Sequence, residues 1–141
     1  MSQAGSSKLT ALLGRCRVWV TLALVLYFVM MFTATHIPTV PSQLAEVSDK
    51  LMHFLVYAGL GFLLCLYRAT RQPASWKDAG IVLGIGSIYA VLDELLQIPV
   101  GRHCDAMDWL ADTIGILIGI AAFGVLWFIG QGRRGVPPRS P

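Results

Sequence analysis

One short stretch of this chain concentrates side chains that could do chemistry. Residues 92–112 read LDELLQIPVGRHCDAMDWLAD and contain five of the eight carboxylates, one arginine and one histidine. Carboxylate and imidazole groups transfer protons in enzymes, and arginine holds anionic groups through its planar array of donors. The stretch therefore predicts a site for acid–base chemistry or ligand binding, provided that the surrounding elements bring its members together.

Four long apolar runs make up most of the chain and must position that stretch. The 141 residues are 55% hydrophobic and 13% charged, which is about half the charged share of a soluble domain. Each run is close to the roughly 17–25 residues that a helix needs to cross a bilayer. Strands are excluded because they would leave unpaired edges in lipid. The sequence predicts an all-α, four-helix transmembrane bundle with spans at residues 18–35, 51–67, 79–98 and 109–129.

The segments around the spans follow from composition. Proline-containing breaks at residues 36–41, 72–75 and 99–101 separate the runs. The first run is longer than the core of a cleaved signal peptide, so we expect it to stay as an anchor. The predicted organisation is an amino-terminal segment at 1–17, a transmembrane domain at 18–129 and a disordered tail, rich in Gly, Pro and Arg, at 130–141.

Basic residues gather on one side of the predicted bundle. Nine of the eleven Lys and Arg residues fall there, and the positive-inside rule makes that side cytoplasmic, with both termini on it. This distribution accounts for the net charge of +3, so we expect no nucleic-acid partner. On the same topology, seven of the eight carboxylates lie on or near the outer face, and Asp78 is the exception.

Several of the outer polar residues lie inside the apolar runs rather than in loops. Asp93 and Glu94 are about one to two turns inside the third run, and His53 and Asp112 are about one turn inside the second and fourth. A charge at the bilayer centre costs about 2.5–3.5 kcal/mol on insertion scales, so such groups usually face the bundle interior and pair with one another. Their depth predicts a functional site.

Helical spacing decides which polar residues share a face. Asp93 and Glu94 point about a hundred degrees apart, so only one is expected to face the cavity. We choose Glu94 because Gln97 lies on its side, and we expect Asp93 to pair with Lys50 or Arg102. Each span carries one polar stripe at helical spacing. The stripes are Asp49, His53 and Tyr57, then Glu94 and Gln97, then Asp105, Asp108 and Asp112.

Two G-x-x-x-G patterns predict close helix packing below the site. One is formed by Gly115 and Gly119, the other by Gly80 and Gly84. Small residues at this spacing let two helix backbones approach each other. We therefore expect another helix to pack closely against the third span and against the fourth span at these positions.

Several of the polar residues have simpler structural interpretations. Asp105 stands just before an apolar helical run and could be an N-cap, and Arg102 could be a structural counter-ion. His36 and His103 are expected to be solvated loop residues. No metal is predicted, because H-E-x-x-H and paired-cysteine spacings are absent. The weaker metal-binding alternative would use His53, Glu94, Asp105 and Asp108.

Three blocks of polar residues resemble the VanZ-like family of small bacterial membrane proteins. The blocks are DKxxHFxxY from Asp49, DExxQ from Asp93 and GRxxDxxDxxxDxxG from Gly101, and the resemblance covers most of residues 15–130. It implies a four-helix protein of the bacterial inner membrane, in a family named after a protein linked to teicoplanin resistance. The family has no settled biochemical activity. Asp112 departs from its pattern, since asparagine is usual there. The family's polar motif falls on Asp49, Lys50, His53, Glu94, Gln97, Arg102, Asp105 and Asp108.

The leading functional hypothesis is an outward-facing polar pocket that binds or processes an anionic, lipid-linked or phosphate-bearing component of the cell envelope. Arg102 and Lys50 would hold phosphate or carboxylate oxygens. Glu94 or Asp108 would act as general acid or base, with help from His53. Membrane lipids are the expected partners, and no cofactor is assigned. The remaining predicted binding residues are Gln97, Asp49, Asp105 and Tyr57.

Two other functions stay open. A small proton- or ion-coupled transporter would use the intramembrane acids Asp93, Glu94 and Asp112. It would need a homo-oligomer, because four short helices enclose only a small pore. Alternatively, the polar residues form an ion-paired lock that holds the four helices together without any chemistry.

Overall fold

The helices follow the apolar runs of the sequence. The structure, a computed structural model, describes residues 3–36, 43–101 and 105–132. These residues form five α-helices and one 3-10 turn, without strands. Arg102, His103, residues 37–41 of the first break and the tail from residue 133 lie outside the described part of the chain. The elements are α1 (Gln3–Arg15), α2 (Arg17–Thr35), α3 (Gln43–Ala69), α4 (Trp76–Gln97), the turn Ile98–Val100 and α5 (Ala106–Gly132).

Four helices of the described chain are long and apolar enough to cross a membrane. The prediction of an all-α, four-helix transmembrane protein is therefore confirmed. Helix α3 begins eight residues before the predicted run, at Gln43, and α5 continues to Gly132, inside the segment predicted as a disordered tail. The candidate spans are Arg17–Ala34, Asp49–Ala69, Trp76–Val100 and Ala106–Gln131.

The amino-terminal segment contains a helix that the search for apolar runs did not predict. Helix α1 is separated from α2 by a turn at Cys16, whose N–H donates to the carbonyl oxygen of Leu13 (2.9 Å). Leu9 and Leu13 pack against the buried core, whereas Lys8 and Arg15 are exposed. Helix α1 is too short to span a bilayer. It is amphipathic, which suits a position across one end of the bundle.

The turn between α3 and α4 is fixed by Asp78. Its carboxylate accepts hydrogen bonds from Arg68 Nε (2.6 Å) and Gln72 Nε2 (2.6 Å). Asp78 also completes a capping box with Ser75, the N-cap of α4. The predicted break at residues 72–75 is confirmed. We call this end of the bundle, where α2 and α4 begin and α3 and α5 end, the basic end. The opposite end is the acidic end.

Helices α3 and α5 approach each other backbone to backbone. A Cβ atom at Gly115 would collide with the carbonyl oxygen of Phe54, and one at Gly119 would collide with that of Ala58. The first predicted G-x-x-x-G contact is therefore confirmed. This approach brings the first turns of α5 against α3 at the acidic end.

The second predicted glycine contact, at Gly80 and Gly84, is wrong. No heavy atom of the described residues lies within 4 Å of a Cβ atom built at either position, and both glycines are exposed. Gly86 faces α5 instead, where Ile116 Cδ1 lies 2.6 Å from an ideal Cβ position. Spacing did not reveal which face of α4 packs, because lipid-facing and core-facing positions are equally apolar.

Helix α2 lies on the outside of α3 and is the least buried span. Only 6% of its apolar window is buried, against 28% for each of the other three spans. Tyr27 anchors it, because its hydroxyl donates to the carbonyl oxygen of Val56 (2.7 Å) and fills the space beside Gly59. This loose packing leaves an apolar groove between α2, α3 and α4.

Gly119→Ala is expected to destabilise the bundle by about 1–3 kcal/mol, because the added Cβ must push α5 away from the Ala58 carbonyl. Gly84→Ala is the matched control, since its Cβ meets open space and alanine is the better helix former. Reversible unfolding in detergent compares the two variants with wild type. Equal stability of the two variants would contradict the backbone contact.

Candidate functional site

The turn that joins α4 to α5 organises the acidic end. After the 3-10 turn Ile98–Val100, Gly101 takes the left-handed conformation (φ 82°) that favours glycine. Asp105 then caps α5, since its Oδ1 accepts the N–H of Met107 (2.9 Å). The N-cap interpretation of Asp105 is confirmed.

Asp105 also ties this turn to two other helices. Its N–H donates to Glu94 Oε2 on α4 (2.9 Å), and its Oδ2 accepts from Lys50 Nζ on α3 (2.6 Å). The Lys50 ammonium holds the pKa of Asp105 below its usual value, and the Met107 N–H adds to this effect. One residue thus connects α3, α4 and α5.

Lys50 bridges two carboxylates in the layer of the site nearest to solvent. Its ammonium lies 2.6 Å from Asp105 Oδ2 and 2.8 Å from Asp108 Oδ1. The Asp108 side chain is only 7% exposed, whereas that of Lys50 is 38% exposed. The expected pairing of Asp93 with Lys50 is wrong, because Lys50 points to α5 rather than to α4.

A deeper layer joins α3, α4 and α5 around His53. Its Nδ1 lies 3.0 Å from Asp112 Oδ1, and neither side chain is exposed. Glu94 Oε1 lies 4.0 Å from the same nitrogen. One turn further along α3, the Tyr57 ring is nearly parallel to that of His53, with centroids 6.4 Å apart. We call His53, Glu94 and Asp112 the His53 cluster.

Asp93 forms a second buried branch on another face of α4. Its carboxylate accepts from the Tyr89 hydroxyl (3.3 Å) and the Gln97 amide (3.3 Å), and His36 Nδ1 lies 3.8 Å away. The prediction that only one of Asp93 and Glu94 faces the interior, with Gln97 beside Glu94, is wrong. Both are buried because α3 and α5 cover one face of this end of α4, while the end of α2 covers another.

The expectation that His36 is a solvated loop residue is also wrong. Its side chain is only 12% exposed, and its ring stacks on Phe32 with centroids 3.9 Å apart. Nδ1 also lies 2.8 Å from the carbonyl oxygen of Phe32. Helix α2 continues to Thr35, so the next residue folds back onto the last helical turn and reaches Asp93.

Most of the predicted site residues lie together at the acidic end, and their functional roles stay predictions. Arg102 lies outside the described residues. Tyr89, the partner of Asp93, was not predicted, and Asp112 was predicted as part of a polar stripe but not as the partner of His53. Tyr89 lies four residues before Asp93, so the i, i+4 rule could have found it. The predicted residues found at this end are His53, Glu94, Asp108, Lys50, Asp49, Asp105, Gln97 and Tyr57.

Sequence comparison gives the family of this chain. A family model described as VanZ/LLP1 matches residues 15–128 of the 141. The chain belongs to the VanZ/LLP1 family. The match confirms the resemblance seen in the three polar blocks, and it covers α2, α3, α4 and most of α5. Comparisons with curated proteins and with solved structures gave no match.

The acidic end of this VanZ/LLP1 chain holds more negative than positive groups. The described side chains there include six carboxylates, two histidines and a single lysine, which already contacts two of the carboxylates. Buried acids without counter-ions are costly in a bilayer. This excess distinguishes the acidic end from the balanced contacts of Asp78 at the basic end. The carboxylates are those of Asp49, Asp93, Glu94, Asp105, Asp108 and Asp112.

Three buried atoms of the His53 cluster have no hydrogen-bond partner among the described residues. They are His53 Nε2, Glu94 Oε1 and Asp112 Oδ2. A proton on Nδ1 that is donated to Asp112 leaves Nε2 as the basic nitrogen, which is the arrangement in which a carboxylate orients a histidine base. The cluster can therefore accept a proton or bind a cation.

An apolar groove of this VanZ/LLP1 bundle reaches the polar layer. The groove has a volume of about 290 Å³ and lies between α2, α3 and α4, with Val29, Leu60 and Ile85 in its walls. Val29 and Ile85 are more than half exposed, so the groove opens on the side that faces lipid. Tyr89 also forms part of the wall, and its hydroxyl donates to Asp93. The groove and the polar layer thus meet at one side chain.

Double-mutant cycles should give a larger coupling energy for Lys50→Met with Asp108→Asn than for Lys50→Met with Asp105→Asn. Asp108 is buried, whereas Asp105 is 43% exposed, and exposed ion pairs contribute only about 0.2–1 kcal/mol. Unfolding in detergent at neutral pH measures the corners of each cycle. A larger coupling with Asp105 would show that burial does not govern the strength of the Lys50 contacts.

Proposed function

We propose that this chain binds a lipid-linked component of the bacterial cell envelope, with the polar head of the ligand at the acidic end and its apolar chain in the groove. The observation that carries the proposal is the position of Tyr89, which forms part of the groove wall and donates to buried Asp93. An amphiphile needs an apolar surface and a small number of convergent polar groups side by side. Both surfaces are available here within one bundle.

The charges of the site favour a head group that presents hydrogen-bond donors together with a phosphate. Carboxylates accept the N–H and O–H groups of an amine or a sugar. Lys50 is engaged by Asp105 and Asp108, so a phosphate would depend mainly on Arg102, whose guanidinium fits two phosphate oxygens at once. The sequence analysis expected Lys50 and Arg102 to hold the anion together. We now propose Arg102 as the main anion contact.

Acid–base chemistry on the bound head group would use the His53 cluster. His53 is the candidate base because Asp112 orients its ring, and Glu94 is the candidate acid because it lies beside the same ring. Asp108 is less suited to proton transfer, since its Oδ1 already accepts a hydrogen bond from the Lys50 ammonium (2.8 Å).

The two alternative functions are poorer matches for a single copy of the chain. Between the acidic end and the Arg68–Asp78 contact, the described parts of α3, α4 and α5 contain no Asp, Glu, His, Lys or Arg. Proton pathways across membranes use chains of such groups, whereas Val82 and Ile116 fill this region. A purely structural lock would balance its charges, and the described side chains of the acidic end do not.

The lipids that remain bound after mild extraction test the proposed function. Wild type is expected to retain one class of lipid-linked envelope component at least several-fold above its share of the membrane. Val29→Trp fills the groove and should abolish this enrichment. Leu26→Trp is the matched control, because it adds the same bulk to an exposed position of α2 that is not part of the groove wall. Mass spectrometry of the bound lipids measures the enrichment, and identical lipid profiles in all three proteins would refute the proposal.

The proposed orientation places the basic end in the cytoplasm, as the positive-inside rule favours for Arg68, Arg71 and Lys77. With Cys16 as the sole cysteine, intact cells should exclude a membrane-impermeant maleimide from this exposed residue. A Met107→Cys variant without other cysteines should react, since Met107 is exposed at the acidic end. Lysed cells provide the control for reactivity. The opposite labelling pattern would reverse the proposed topology.

A further inference from the structure

We propose that the His53 cluster is a binding site for a divalent transition-metal ion, with one nitrogen from His53 and one oxygen each from Glu94 and Asp112. These donors come from three helices, α3, α4 and α5, and the three residues are at least 98% buried. The inference goes beyond the proposed function, because a metal ion can be held here whether or not a lipid binds in the groove.

The distances between the donor atoms match a metal site. The three ligand atoms all lie within 4.8 Å of one another. His53 Nδ1 is 3.0 Å from Asp112 Oδ1 and 4.0 Å from Glu94 Oε1. Metal–ligand bonds of about 2.0–2.2 Å in a tetrahedral site put neighbouring donors roughly 3.3 Å apart. The His53–Asp112 distance is slightly below this spacing and the His53–Glu94 distance is somewhat above it, so rearrangement of the side chains alone could complete the coordination.

The unpaired oxygens of the cluster point independently to a cation. Glu94 Oε1 and Asp112 Oδ2 are buried and have no hydrogen-bond partner among the described residues. Two carboxylates beside one imidazole leave an excess of negative charge that lipid cannot solvate. A dication bound by one oxygen of each carboxylate removes this excess, whereas a proton on His53 neutralises only one of the two carboxylates.

Contacts outside the cluster hold two of the three ligands in position. The other oxygen of Glu94 accepts the backbone N–H of Asp105 (2.9 Å), which fixes the carboxylate and directs Oε1 towards His53. The His53 ring stacks parallel to Tyr57 on its own helix. Such supporting contacts orient ligands before the metal arrives and are typical of metal sites.

The ligand types favour zinc, manganese or ferrous iron over calcium or magnesium, because an imidazole suits transition metals and the harder cations prefer oxygen alone. Three protein ligands leave at least one coordination position for water or for a ligand oxygen. A metal ion there would supply a phosphate-binding charge, and Lys50 is the only described Lys or Arg at the acidic end.

A second group of donors shares His53 but suits a cation less well. Donor atoms of Asp49, His53 and Asp108 also lie within 4.8 Å of one another. However, the Lys50 ammonium already occupies Asp108 Oδ1 at 2.8 Å, and its positive charge repels a metal ion. We therefore assign the metal to Glu94 and Asp112 and not to Asp49 and Asp108.

Titration of the chelator-treated, full-length protein in detergent with Co²⁺ or Zn²⁺ alone tests this inference. Co²⁺ should give the visible absorption of a low-coordinate nitrogen–oxygen site, and Zn²⁺ should compete for it. Glu94→Gln and Asp112→Asn should each weaken binding at least tenfold. Asp93→Asn is the matched control, because it removes an equally buried carboxylate from the same end of α4 and should retain the wild-type affinity.

Thermal unfolding separates loss of the site from loss of the fold. Without metal, Glu94→Gln and Asp112→Asn should be at least as stable as wild type, since each removes a buried charge, whereas only wild type and Asp93→Asn should gain stability on adding Zn²⁺. Failure of wild type to bind either ion, or equal binding by all four proteins, would overturn the inference. Loss of binding in Asp108→Asn together with normal binding in Glu94→Gln would also overturn it. Lipid enrichment measured on the same proteins reports on the proposed function separately.

Discussion

The close approach of α5 to α3 at Gly115 and Gly119 is the contact on which the polar site depends. Asp112 lies three residues before Gly115, within one helical turn, so the helix separation that the glycines allow also sets the 3.0 Å between His53 and Asp112. Larger side chains at the glycines would separate the helices, and lipid would offer the released polar groups no other partner. The separation of α3 and α5 therefore determines both the packing of the apolar core and the geometry of the polar cluster.

The two ends of the bundle differ in how their buried polar groups find hydrogen-bond partners. At the basic end, Asp78 receives donors from Arg68, Gln72 and Ser75, and every one of these contacts is local to one turn. At the acidic end, donors and acceptors come from helices that are distant in sequence, and acceptors outnumber donors. The first arrangement stabilises a turn. The second leaves buried atoms of His53, Glu94 and Asp112 without a hydrogen-bond partner among the described residues.

The fold was largely readable from the sequence, and the site was readable in part. Apolar runs are a strong signal in a membrane, so the four spans and the breaks between them follow from length and composition. The stripe containing Asp49, His53 and Tyr57 was likewise visible, because residues four apart must share a face of a helix. Both the spans and the polar stripe can be predicted from the sequence of a single helix.

The errors arose where two helices had to be considered together. Gln97 lies within one turn of both Asp93 and Glu94, and it donates to Asp93, while Glu94 accepts the N–H of Asp105 in the turn before α5. Gly80 and Gly84 have the same spacing as Gly115 and Gly119, yet they face away from the bundle. The amphipathic helix α1 was missed because a search for long apolar runs does not detect a short two-faced segment.

Asp105 couples the surface turn of the acidic end to its buried side chains. Its side chain forms an ion pair with Lys50 of α3, and its backbone N–H donates to Glu94 of α4. It is also the N-cap of α5. The turn before α5 and the buried Glu94 carboxylate are therefore coupled, since neither can move far without breaking the hydrogen bond between Asp105 and Glu94. A displacement of this turn would therefore move the Glu94 carboxylate or break its hydrogen bond to Asp105, with no need for any helix to move as a whole.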